Sequence, residues 1–468
     1  MGISVLFNDG WEFTRQELGT KVEDIIHRDE LWQAVDIPHD WMIYDTKYFN
    51  ESCEGWYRKS FDISAMGLYK RLKEPDKTGF KLRFEGVYMD CTIWLNGICV
   101  GRWKYGYSTF ELDITDALRP GVNELLVRVV LRMPNSRWYS GAGIYRNVWL
   151  KAVPQLHFVS DGIYISTVKN TRDWTVRVEA ELACLRGKGV LDCHSREHSA
   201  EDFAGTEACM EAGRDSGTEV ELINNCIIRH TIMDMDGNVV AAAEGGTMQE
   251  LSVSNPKLWS LDEPALYTMK SELIRNGIIL DEEYNRFGFR SIRFDANEGF
   301  FLNDQHVKIH GVCQHHDLGA LGAAVNRAAI KRQLLILKEM GVNAIRTAHN
   351  MPAVELLELA DEMGFLINDE AFDMWERPKT QYDYARFFTD WVKKDVASWI
   401  RRDRNHPSVI MWSIGNEIYD THAGERGQEI MCMLMGLVQK HDPYRNAWVT
   451  FGSNYMPWEN TQKCADII

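Results

Sequence analysis

The 468-residue chain has no run of eighteen apolar residues, so no segment reads as a membrane-crossing helix. Its start, MGISVLFNDGWEF, has neither the basic opening nor the apolar stretch of a signal peptide, and a cytoplasmic protein is expected. The ten cysteines are scattered and no two form a CxxC pair, so a zinc site is not expected. A chain of this size can bury a real core without a disulfide framework, and the cysteines read as reduced thiols. Basic excess is also absent. The formal charge is −16 and the sequence pI near 5.4, which argues against nucleic acid or an anionic membrane as a partner. What remains is an ordinary globular composition, 45% hydrophobic and 26% charged, long enough for two to four domains.

Residues 1–153 alternate in short runs such as WYRKSFDI (56–63), FKLRFEGV (80–87) and NELLVRVV (123–130). Turn residues, Asn96-Gly97 and Pro120-Gly121 among them, separate the runs, as in a β-sandwich. Residues 154–293 form a second β-rich unit, with a polar stretch at 186–217 that reads as a surface excursion. From 294 to 468 the period changes. Amphipathic helices at 326–340, 352–363, 384–404 and 421–441 alternate with apolar runs ending near Val312 and at 342–347, 365–370, 408–414 and 446–452. Gly341 and Gly364 close the first two helices. Such alternation implies a parallel sheet with crossover helices.

The run Ser408–Ile414, apolar on both faces and ending in Gly415-Asn416-Glu417, reads as a buried strand delivering a carboxylate to its carboxyl end. Polar clusters follow the preceding strands as well: Gln314, His315, His316 and Asp317; Arg346, His349 and Asn350; Asp369 and Glu370. One polar cluster at one end of a barrel sheet is the arrangement of a catalytic face.

The string NHPSVIMWSIGNE (405–417) resembles the acid/base signature of family 2 glycoside hydrolases, and IRTAHNMP (345–352) a second signature of that family. IWLNG and SGAGIYRNVWL resemble its sugar-binding jelly-roll domain; PKLWSLDEPALYTMKSEL with FGFRSIRFD resembles its immunoglobulin-like domain. The implied fold is a jelly-roll-like β-sandwich (1–153), an immunoglobulin-like β-sandwich (154–293) and a partial (β/α)8 TIM barrel of about five strands (294–468). The implied activity is that of a retaining exo-β-glycosidase acting on a terminal β-D-galactoside. β-Glucuronidase is the enzymatic alternative, and a non-catalytic carbohydrate-binding or structural fragment the alternative of another class.

In the resemblance Glu417 is the proton donor and Asn416 holds the sugar's 2-hydroxyl. His315 and His349 bind sugar hydroxyls, Arg346 orients the nucleophile, and Asp369 or Glu370 supports them from behind. Trp375 is a candidate for stacking on a sugar face. Arg137, Trp138 and Asp40, all in the first domain, are candidates for touching the sugar. Metal-dependent β-galactosidases carry a further Glu and a His just after the DEA segment. This chain has Asp373, Met374 and Trp375 there, so no catalytic metal and no cofactor is expected. The family's nucleophile, a Glu on the seventh barrel strand, falls farther downstream than this chain reaches. Glu459 and Asp466 are the late carboxylates, and no family motif surrounds either. The chain thus resembles the front part of such an enzyme: either it is a fragment missing its C-terminal portion or a partner supplies the rest, and the resemblance separately allows a homo-oligomer.

Overall fold

The computed structural model describes residues 2–44, 47, 49–66, 78–171, 173–185, 226–422, 424–454 and 466. The 186–217 stretch and Glu459 lie outside them.

In the first unit, alternating apolar residues build two antiparallel sheets around one core. The larger runs, in spatial order, Gln33–Val35, Trp11–Gln16, Cys53–Asp62, Val122–Leu131, Cys91–Leu95 and Ile98–Trp103. The smaller runs Ile3–Leu6, Val148–Pro154, Thr78–Phe84 and Phe110–Asp113. Residues Tyr57, Leu82, Phe84, Ile93, Val127 and Leu150 fill the space between the two sheets. Asn96 and Gly97 both adopt positive φ (52° and 82°), the conformation a tight hairpin needs between two twisted strands.

The second unit is also a sandwich. Leu156–Lys169, Asp173–Cys184 and Met248–Ser254 form one sheet; Val239–Gly245, Ile227–Met233, Tyr267–Arg275 and Ile278–Phe287 form the other. Its own core includes Trp174, Val176, Ile232, Met269 and Phe289.

Beyond a small three-stranded sheet, the chain forms five parallel strands in sequential order: β1 (Gly311–Gln314), β2 (Ala344–Thr347), β3 (Leu366–Glu370), β4 (Val409–Asn416) and β5 (Trp448–Gly452). The helices α1 (Arg327–Glu339), α2 (Val354–Met363), α3 (Ala385–Asp403) and α4 (Glu425–His441) connect them. The side chain of Asn326 caps α1 by accepting from Ala329 N, and Gly364 closes α2 at φ 70°.

Two expectations shift. The final helix begins at Glu425, because residues 419–422 form a tighter 3-10 turn directly after the site. The cysteines are not uniformly reduced. Cys53, Cys91, Cys99, Cys184, Cys226 and Cys313 are free, but Cys432 on α4 is disulfide-bonded. Spacing along a sequence does not report which thiols meet across a fold.

The first sandwich and the barrel share one continuous core. Polar contacts pin them further. The buried guanidinium of Arg146 donates to the carbonyls of Tyr107 (3.0 Å) and Met351 (2.7 Å), and Tyr105 OH donates to the carbonyl of Ala371. The second sandwich is tied to α4 through Tyr164 OH, which donates to Asp442 Oδ1 at 2.5 Å.

Candidate active site

Strand periodicity decides which polar residues meet. On β3, Glu370 points into the barrel, where its side chain is fully buried. It receives Arg346 Nε and Nη2, each at 2.9 Å, and Ser413 Oγ at 2.6 Å. His349 Nδ1 lies 2.6 Å from Glu370 Oε1. Burial alone would lower the Arg346 guanidinium, but the Glu370 carboxylate outweighs it and raises it. The same guanidinium donates to Asn416 Oδ1 at 2.7 Å, which binds the ends of β2, β3 and β4 into one cluster.

Its neighbour Asp369 faces the other way, as alternation requires. This corrects the expectation that it backs the site. It is buried on the helix side beside Asp403 and Arg402, and burial followed by the Asp403 charge pushes its carboxyl well up.

Glu417 follows β4 at φ 46°, an uncommon conformation for a residue with a side chain and one concentrated at functional sites. Its backbone N–H donates to Gly452 O at 2.6 Å. The preceding Gly415 allows the close approach of Ile418, whose side chain would lie 2.6 Å from an added Cβ. The Glu417 side chain is 39% exposed, and its Oε2 accepts from Arg137 Nη1 at 3.3 Å. Arg137 belongs to the first sandwich, so that domain reaches the carboxylate. Its other nitrogens form a fork on Asp373, Nε to Oδ2 at 2.9 Å and Nη2 to Oδ1 at 2.6 Å.

Trp138, also from the sandwich, stacks on the His315 ring (5.2 Å, 20°) and meets His349 edge-on at 5.7 Å. Burial, then the nearby His349, lowers the His315 imidazole. His316, the adjacent histidine, is structural: its Nε2 lies 3.1 Å from Ser140 O, and burial drives it down to about 3. A pocket between sandwich and barrel is lined by Tyr105, Tyr107, Trp138, His349 and Asp373.

Two further candidates move out of the site. Asp40 is buried, and its oxygens are taken by Met42 N (3.1 Å), Ala142 N (3.0 Å), Ala323 N (2.9 Å) and Tyr139 OH (2.6 Å). It ties the Arg137–Trp138 loop to the barrel instead of facing a ligand. Trp375 is fully buried with its indole N–H on Ile414 O (3.0 Å), so neither ring face is open for stacking. Asp466 also lies away from the cluster. It accepts from Val449 N and Arg445 at the start of β5, three residues and roughly 10 Å before Gly452.

The donor set does not suit a divalent cation. Met374 is buried, and the Asp373 oxygens are already occupied by Arg137, by Asn416 Nδ2 (2.8 Å) and by the ammonium of Lys379 (2.9 Å). Lys379 went unnoticed in the sequence because it lies in the irregular ERPKT stretch, where no periodicity aims it anywhere.

Three family models match the chain: the sugar binding domain of glycosyl hydrolases family 2 over residues 26–154, the family 2 domain over 163–290 and its TIM barrel domain over 295–468. The chain is 40% identical over 426 residues to the beta-galactosidase BoGH2A of Bacteroides ovatus, covering 88% of this chain and 46% of that protein. It is 32% identical over 441 residues to a putative beta-glucuronidase of Formosa agariphila, covering 90% and 38%. Among solved structures, a family 2 member from Bacteroides cellulosilyticus superposes with TM-score 0.81 at 35% identity, covering 97% of this chain and 56% of that one. A beta-glycosidase from Bacteroides vulgatus gives 0.79 at 31%, covering 96% and 54%. The chain thus spans about half the length of these relatives or less.

Proposed function

This chain belongs to the family 2 glycosyl hydrolases, and from that premise we propose that it carries the acid/base half of a retaining β-galactosidase. The observation that carries the reading is Glu417, half-open at the carboxyl end of a barrel strand, with Asn416 beside it and Arg137 on its oxygen. Glu417 protonates the glycosidic oxygen as the anomeric C–O bond breaks, then takes a proton from the water that completes hydrolysis. Asn416, His315, His349 and Trp138 line the place of the sugar.

Retention needs a second carboxylate about 5–5.5 Å away to attack the anomeric carbon. Among the described residues, Glu370 and Asp373 are the carboxylates woven into this cluster, and both are fully buried and engaged. We infer that the attacking carboxylate lies outside the described residues, and the expected outcome is that these 468 residues alone turn over negligible nitrophenyl β-galactoside. Robust turnover abolished by Glu459→Gln or Asp466→Asn overturns that statement. In a polypeptide carrying the whole barrel, Glu417→Gln should lower turnover by roughly 100-fold or more; unchanged turnover removes the reading.

A β-glucuronidase is the second reading, supported by the Formosa agariphila relative. Against it, Arg346, Arg137 and Lys379 are each already paired with a carboxylate of the site, leaving none of the three to receive a uronate. Parallel assays with the nitrophenyl galactoside and glucuronide separate the two.

A further inference from the structure

We infer that Asp373 and Lys379 are positioning residues for the proton donor, an inference that rests on the role proposed for Glu417. The peptide group joining Asn416 to Glu417 is held at both of its polar atoms. Lys379 Nζ donates to Asn416 O at 2.7 Å, and Glu417 N donates to Gly452 O at 2.6 Å. With carbonyl and N–H both fixed, the peptide plane cannot turn, and φ of 46° then sets the direction in which the Glu417 side chain leaves the backbone. Arg137 holds the tip of that side chain.

Asp373 is the hub that keeps these donors in place. Its fully buried carboxylate accepts from Arg137, Lys379 and Asn416 Nδ2 at once. Burial alone would raise this carboxyl, yet the donors from Arg137, Asn416 and Lys379 outweigh it and hold it low. Lys379 is itself 1% exposed, and burial lowers its ammonium against the pull of Asp373. Its loop is preset: Lys379 N and Thr380 N both donate to Asp383 Oδ2, at 2.7 and 2.8 Å. The ammonium thus arrives from a fixed loop, spans to the acid/base peptide and is neutralised there by Asp373.

A proton donor that is misaimed fails on leaving groups that need the proton and is spared on those that do not. The test measures kcat/KM of the whole-barrel protein and its Glu417→Gln, Lys379→Met, Lys379→Arg and Arg137→Met variants on methyl β-galactoside and on dinitrophenyl β-galactoside. The expected result is a roughly 100-fold loss on the methyl glycoside for Lys379→Met and Arg137→Met, with a loss of about fivefold or less on the dinitrophenyl one. Glu417→Gln shows the same split, and Lys379→Arg recovers part of it. If Glu417→Gln shows the split while Lys379→Met lowers both substrates equally, or neither, the positioning role is overturned and the function stands. If Glu417→Gln shows no split, the function falls and the inference with it. A second measurement needs no turnover: calorimetric binding of a galactose-configured iminosugar to the whole-barrel protein. Affinity should drop roughly tenfold in Lys379→Met; wild-type affinity in that variant overturns the inference, and no binding by the unaltered whole-barrel protein overturns the functional reading.

Discussion

Arg346 makes the site one object instead of three strand ends. Its planar fork grips Glu370 while a third bond goes to Asn416. A lysine keeps the charge and loses that geometry. Arg346→Lys should therefore weaken iminosugar binding roughly tenfold, measured by calorimetry. Residue type was legible in the sequence at this scale, but direction was not. Arg346, His349, Glu370, Asn416 and Glu417 stand where strand ends place them. Asp369 has the same composition and the same neighbours, but a period of two turns it to the opposite face. Asp40 and Trp375 are polar or aromatic residues near catalytic-looking strings, and each spends its bonding capacity on the scaffold.

Among the elements, the helices of the barrel were the most readable, because apolar spacing and terminal glycines mark them independently. Gly364 illustrates the strength of such a mark. It sits at φ 70°, and an added Cβ would lie 2.2 Å from Leu261 O. Gly364→Ala should destabilise the chain by more than about 1 kcal/mol, read by chemical denaturation, since both the left-handed backbone and the contact oppose it. The short strands Ile3–Leu6 and Gln33–Val35 escaped notice because so few residues carry little periodic signal.

Helix α3 also carries a titrating contact to the first sandwich. Asp395 accepts from Ser108 Oγ at 2.6 Å and from Tyr384 OH, and burial pushes its carboxyl up to about 7. The unfolded chain loses that proton near pH 3.9. Between these values the folded chain binds the extra proton, so stability falls as pH rises from about 4 to about 7 and is level above. Asp395→Asn removes this dependence. Its melting temperature should exceed that of the unaltered chain above pH 7, with the gap closing towards pH 4, at a slope of at most about 1.4 kcal/mol per pH unit. A gap independent of pH would contradict this account.

For the molecule as a whole, the charges of the site balance one another among the described residues. Arg137, Arg346 and Lys379 face Glu370, Asp373 and Glu417. Addition of EDTA should leave both the iminosugar affinity and the unfolding midpoint unchanged; a loss restored by magnesium would contradict the assignment. The change of period near residue 294 made the barrel legible, while the two sandwiches before it were told apart by their resemblance to family domains. How the three units converge was not legible, because contacts such as Arg137 with Glu417 join residues 280 positions apart.

That long-range contact has a bearing on how such proteins can be recombined. The guanidinium beside the acid is encoded in one module and the acid in another. A hybrid that grafts a foreign sandwich onto this barrel will stay functional only if the donor brings an equivalent arginine on an equally anchored loop. Shuffling at the boundary is therefore constrained by chemistry as well as by shape.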